Sequence, residues 1–154
     1  MNLYLVQHGD AVAKERDPTR PLTEQGRRDV EKIAGFLKGL NLSVQYLWHS
    51  GKARAAQTAE ILATAIEPRT GIARRDGLGP NDDVRRVAEQ LASIDEDIMI
   101  VGHLPFLSKL ASLLITEDES ANTVTFRQGG IVRLSRSDQQ QWQLAWMLTP
   151  QLFL

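Results

Sequence analysis

Two short runs of uninterrupted apolar residues constrain this chain more than any other feature. Leu3-Tyr4-Leu5-Val6 is one and Ile98-Met99-Ile100-Val101 is the other. Each has the length of a strand, and neither alternates polar with apolar residues. Such strands are buried on both faces, as in a parallel sheet covered by helices on either side. Both runs stop in the same way: the first gives way to Gln7-His8-Gly9-Asp10, the second to Gly102-His103. Ligands of open α/β sheets bind just past the carboxyl ends of the strands, and glycine there lets the backbone turn sharply and approach a ligand. One histidine so placed has a structural reading as readily as a chemical one. The same placement on two strands points to chemistry.

The intervening chain supplies the covering helices. After a polar loop, Ala11 to Pro21, Thr23 reads as a helix N-cap with Glu24 in the first turn. Val30, Ile33, Ala34 and Leu37 then make one face of an amphipathic helix ending near Gly39-Leu40-Asn41. Val44 to Trp48 reads as a second strand, followed by His49-Ser50-Gly51. A helix from about Lys52 to Ile66 comes next, stopped by Pro68. Ile72 to Arg74 is a short strand and Gly77 to Pro80 a turn-rich loop. Asn81 or Asp82 is then placed to cap a helix carrying Val84, Val87, Ala88 and Leu91 on one face. Pro105 falls in the first turn of a helix that reaches Leu114 or Ile115. Thr123 to Phe126 fits a further short strand. Ile131 to Arg136 and Trp142 to Leu148 form a hairpin across Ser137 to Gln141. Alternating strands and helices closed by a hairpin predict an α/β fold: a three-layer α/β/α sandwich, mostly parallel, with an antiparallel element near one edge. The 154 residues show no repeat or linker, so one domain over residues 1–154 is expected.

Composition removes several function classes. A formal net charge of −1 gives no electrostatic case for nucleic acid or a membrane. Without cysteine there are no disulfides and no thiolate chemistry. Leu104 to Ile115 is too short for a membrane span and carries Lys109. The amino terminus enters a strand without the basic region or cleavage site of a signal peptide, and a cytoplasmic protein is expected.

Placed side by side, the expected parallel strands would bring His8-Gly9, Ser50 with Arg54 just beyond, and Gly102-His103 to one edge. Two imidazoles and a guanidinium there suit a phosphoryl group. Arginine grips phosphate oxygens bidentately, helix N-termini add amide donors, and neutral imidazole can attack phosphorus. Arg54 also reads as a solvated helix arginine, but the first turn of a helix after a strand favours anion binding. His49 is taken as structural. Arg16, Arg27, Arg28 and the Arg74-Arg75 pair are read as surface charges.

Taken in order, Leu5-Val6-Gln7-His8-Gly9, Arg20-Pro21-Leu22-Thr23 with Gly26, Ser50 through Arg54 to Gln57-Thr58, and Gly102-His103 resemble the histidine phosphatase superfamily. The short chain, the spacing from Asp17 to Arg20-Pro21-Leu22-Thr23, and His103-Leu104-Pro105 are most similar to its small SixA-type phosphohistidine phosphatases. The resemblance implies a phosphoglycerate-mutase-like fold with no metal and no cofactor. It implies His8 as the nucleophile, Arg54 and His103 as holders of the phosphoryl oxygens beside Gly9, and Arg20 as an additional pocket arginine. The implied substrate is a phosphorylated histidine-containing signalling domain, or else a small phosphorylated molecule.

One position departs from the pattern. The family has arginine before the catalytic histidine, where this chain has Gln7, which offers amide donors but no charge and no guanidinium fork. Gln7 motivates one reading beside a full phosphohistidine phosphatase, a phosphate- or phosphoprotein-binding module with weak or no turnover; a small-molecule phosphomonoesterase, with the same chemistry and another substrate, is the second. The general acid is open as well. Asp82 is the first candidate, with Asp83 and Asp17 as the others, and Asp82 reads equally as a helix cap. A phosphohistidine substrate relaxes the need for an acid, because imidazole leaves more readily than an alkoxide and can be protonated near neutral pH.

Overall fold

The computed structural model describes residues 1–153, so Leu154, the last residue of the expected domain, lies outside the described residues. Six strands form one sheet: β1 (Asn2–Gln7), β2 (Tyr46–His49), β3 (Ile72–Arg74), β4 (Ile98–Gly102), β5 (Ile131–Arg136) and β6 (Trp142–Leu148). Their order is β3-β2-β4-β1-β5-β6. The first four are mutually parallel; β5 runs antiparallel to β1, and β6 antiparallel to β5. Four helices cover the sheet: α1 (Glu24–Gly39), α2 (Ala53–Ile66), α3 (Val84–Ala92) and α4 (Phe106–Thr116). This is the expected sandwich, with its antiparallel element at one edge.

The two apolar runs lie next to each other as β1 and β4, paired from Leu3 opposite Ile98 to Gln7 opposite Gly102. Their lack of alternation has a direct cause, since both faces are covered. Leu3, Leu5, Ile98 and Ile100 pack with Val87 and Leu91 of α3 and Phe106 and Leu110 of α4. Tyr4, Val6, Met99 and Val101 pack with Val30, Ile33 and Leu37 of α1 and Ala59 and Leu62 of α2. No helix among the described residues is long and apolar enough to cross a membrane.

Several local expectations shift. β2 begins at Tyr46 instead of Val44, because the Val44 carbonyl accepts from Arg69 N–H and Gln45 N–H donates to Asp97, outside the ladder. The cap of α3 is Asp83, which accepts from Arg85 N–H at 3.0 Å. Neither Asn81 nor Asp82 fills that place. The Asp82 carboxylate accepts Gly79 N–H at 2.7 Å and closes the preceding turn, leaving the next aspartate to start the helix. α4 continues to Thr116. Thr123 to Phe126 is not a strand: Val124 and Phe126 drop into the core while Thr123 N–H donates to the Ser112 hydroxyl at 3.1 Å. A side-chain anchor replaces the ladder there.

α1 starts where its sequence indicates. The Thr23 hydroxyl accepts Gly26 N–H at 2.9 Å and donates to the Asp10 carboxylate at 2.8 Å. Gly26 is needed for closeness, since a Cβ there would collide with the Asp10 backbone. The helix is thereby seated directly on the segment that leaves His8.

Candidate active site

The order β2-β4-β1 sets three parallel strand ends side by side. One residue beyond the last β1–β4 pair, His8 N–H donates to the Gly102 carbonyl at 3.0 Å. The His8 and His103 rings then face each other with centroids 5.0 Å apart and planes inclined by 52°. From the end of β2, the Ser50 hydroxyl lies 2.6 Å from His103 Nε2.

His8 is buried, with Nδ1 2.7 Å from the Gly9 carbonyl. A carbonyl only accepts, so Nδ1 carries the proton and the lone pair resides on Nε2. Burial first, then the charges of Arg54 and Arg20, hold the imidazole below its ordinary 6.5, against opposing effects of the Gly9 bond and Asp10. His103 is pushed further, to about 3, chiefly by burial and then by His8, Arg54, Lys52 and Arg20. Both rings are therefore neutral at neutral pH.

Arg54 stands in the first turn of α2, and burial and the nearby Arg20 charge depress its pKa. Arg20 sits in the left-handed region at φ 49°, a strain of about 1–3 kcal/mol for a non-glycine residue. Its loop holds it there. Arg20 Nε donates to the Val12 carbonyl at 3.1 Å and its backbone N–H to the Asp17 carbonyl at 3.0 Å. Leu22 N–H donates to Gln57 Oε1 at 2.7 Å, which ties the loop to α2.

Three buried side-chain atoms among the described residues lack a hydrogen-bond partner: Gln7 Oε1, Arg54 Nε and His103 Nδ1. All belong to residues at this one edge. Buried polar groups are normally paired, and these three orphans mark the edge at which Arg54, His103 and His8 meet. Such an arrangement can bind a phosphoryl group and offer it an unprotonated Nε2.

The chain matches the profile of the histidine phosphatase superfamily (branch 1) over residues 3–79. The chain belongs to that superfamily. A protein of Picosynechococcus is 31% identical over 142 residues, 87% of this chain and 84% of that one. The phosphohistidine phosphatase SixA of Escherichia coli is 23% identical over 155 residues, covering 97% and 94%. The solved structure of protein histidine phosphatase SixA complexed with tungstate superposes over all of both chains with a TM-score of 0.86 at 22% identity. The chain thus has the phosphoglycerate-mutase-like fold, is similar to SixA proteins in sequence and structure, and its family supports phosphatase activity.

The remaining candidate residues are placed as follows. Gln7 ends β1, its carbonyl accepting Gly129 N–H at 2.9 Å. Gly9 N–H donates to Thr58 Oγ1 at 3.1 Å. Asp82 and Asp83 are exposed and engaged with Gly79 and Arg85 N–H, and neither is among the charges felt by His8 or His103. The loop before Asp82 does pass the site, with the Leu78 carbonyl lying 3.8 Å from where a Cβ on Gly102 would be. Asp17 is half-buried and accepts from both the N–H and the hydroxyl of Thr19, which holds its carboxyl below the usual range. His49 is used locally, Nδ1 accepting Gly51 N–H at 3.0 Å.

Sequence reasoning gave no role to Thr58, Gln57 or Lys52. Thr58 is fully buried; its hydroxyl accepts from Gly9 N–H and donates to the Arg54 carbonyl at 2.7 Å. One side chain therefore fixes the turn after His8 against the helix that carries Arg54. The signal was present in the spacing, because Gln57 and Thr58 follow Arg54 by three and four residues and so share its side of α2.

Proposed function

We propose that this phosphatase hydrolyses phosphohistidine on a signalling protein domain through a phosphoryl-His8 intermediate, with the chain acting as one catalytic domain. The observation that carries the reading is the Gly9 carbonyl on His8 Nδ1. With Nδ1 protonated, Nε2 attacks phosphorus and the substrate's N–P bond breaks. His8 then carries phosphorus on Nε2 and a proton on Nδ1, and the Gly9 carbonyl accepts from that cationic ring. Arg54, His103 and Arg20 supply donors and positive charge to the equatorial oxygens of a loose transition state. Water then attacks phosphorus, inorganic phosphate departs, and neutral His8 returns.

The leaving group decides among substrates. A substrate imidazole protonated at its far nitrogen departs neutral and needs no carboxylic acid. An alkoxide does need one, and Asp82, the proposed acid for that case, is exposed and tied to Gly79. Gln7 favours a second reading, a phosphoprotein-binding module of low turnover, because it leaves the pocket without one of the family's cations.

Purified protein assayed on a phosphorylated histidine-containing domain and on a panel of small phosphomonoesters tests this. Turnover of the domain is expected, abolished by His8→Ala with the fold intact. Labelled substrate quenched without acid should leave phosphate on His8. Label on another residue, or activity surviving the substitution, overturns the mechanism.

A further inference from the structure

Three cations, Lys52, Arg74 and Arg75, gather on the β3 side of this site, and none of them forms an ion pair among the described residues. They are fixed in place by the local backbone. Arg75 N–H donates to the His49 carbonyl at 2.9 Å, carrying the β2–β3 pairing one step past Arg74 opposite His49. The Arg75 guanidinium carbon lies 4.3 Å from the ring centre of Trp48, a buried side chain, so the charge stands on a rigid aromatic platform. Arg74 lies across Gly51, where φ is +93° and a Cβ would come within 2.7 Å of Arg74 Nε. Gly51 separates Ser50, which touches His103, from Lys52, the N-cap residue of α2.

The arginine pair lies beside the reaction, outside it. Arg74 acts on His49, and neither Arg74 nor Arg75 is among the charges felt by His8 or His103. Asp76, the acidic residue that follows them, is also without an ion pair. Residues 75–83 connect β3 to α3, and this short loop closes on itself through Asp82 and Gly79. In a chain of net charge −1, a row of unpaired cations next to a phosphoryl pocket is matched by a negatively charged surface.

We propose that Arg74 and Arg75, with Lys52 beside them, form a docking rim for an acidic face of the protein domain that carries the phosphohistidine. This rests on the phosphohistidine reading above. Complementary charge acts mainly on encounter, raising association rates at low ionic strength and losing its effect as salt screens it.

The test compares two substrates that share the N–P bond: a histidine-containing phosphotransfer domain phosphorylated with phosphoramidate, and free N-phosphohistidine. Arg74→Gln combined with Arg75→Gln should lower kcat/KM on the domain about tenfold at low salt and flatten its salt dependence, while leaving free phosphohistidine unchanged. Lysine at both positions should retain the wild-type behaviour, and Asp76→Lys, which leaves both arginines in place, should raise kcat/KM on the domain. Equal changes on both substrates, or none on the domain, overturn the rim. A wild-type protein active on small phosphomonoesters but on neither phosphohistidine substrate overturns the substrate reading itself, a different pattern.

Discussion

Gln7→Arg is the most informative single change. Gln7 ends β1 opposite Gly102, and its buried Oε1 has no partner. Arginine would remove that orphan acceptor and bring a guanidinium to the edge that already holds Arg54 and Arg20. One charged donor aimed at developing phosphoryl charge is worth about 3 kcal/mol, roughly a hundredfold in rate. Mutual repulsion of three guanidinium groups subtracts from this, so a gain of about tenfold to a hundredfold is expected. That repulsion also predicts an empty protein less stable than wild type, and a larger stabilisation when tungstate is added. The measurements are single-turnover rates on a phosphorylated histidine domain, tungstate affinity at low and high salt, and melting with and without tungstate. Tighter tungstate binding without a faster rate would favour the binding-module reading. Unchanged rate and affinity would show that Arg20 or a backbone donor already fills the role. Loss of both activity and stability would refute the placement of residue 7 at the site.

Other substitutions bear on single links of the argument. Arg54→Ala should weaken tungstate or vanadate binding at least tenfold through loss of a charge-assisted contact; equal inhibition constants would make Arg54 a surface residue. Thr58→Val leaves Gly9 N–H unsatisfied and should lower stability by about 1–3 kcal/mol and kcat more than KM, whereas Thr58→Ser keeps both bonds; a Val variant with wild-type kcat would remove Thr58 from the positioning of His8. Asp82→Asn should spare phosphohistidine hydrolysis and reduce that of alkyl phosphates, and equal loss on both would assign the aspartate a part in the shared step. With both histidines held below 6.5, the unfolded chain takes up protons that the folded protein does not, so stability falls as pH drops from 6.5 towards the folded values. Denaturation from about pH 7 to about pH 4 should show a shallower slope for His103→Asn than for wild type, and identical slopes would contradict the burial of His103 as a neutral ring.

The sheet was legible because β1 and β4 advertise burial on both faces, and the edge was legible because each run ends in glycine and histidine. Asp83 was missed as the α3 cap for a physical reason: three consecutive polar residues, Asn81, Asp82 and Asp83, all suit a cap. Which one is used depends on the Gly79 turn claiming Asp82 first. Thr123 to Phe126 misled because β-branched and aromatic residues two apart look like a strand even when Val124 and Phe126 simply anchor a coil. The contacts of Thr58 bridge residues 49 positions apart and needed the fold before they could be seen. Arg74 and Arg75 read as surface charges in the sequence, and they are exposed. Only the β2–β3 register shows which surface they occupy.

The strained backbone at Arg20 bears on the chemistry through the charge it places near the two histidines. Burial, and then the charges of His8, Arg54, Lys52 and Arg20, disfavour a proton on His103. In the proposed mechanism a bound phosphoryl group would carry negative charge beside His103 and favour the protonated ring, turning it towards donation. His8 is kept out of that exchange by the Gly9 carbonyl, which pins its proton on Nδ1. On the proposed mechanism, two neighbouring histidines, alike in sequence context, have different duties. One keeps a fixed tautomer and a free lone pair, and the other answers to the charge of what is bound.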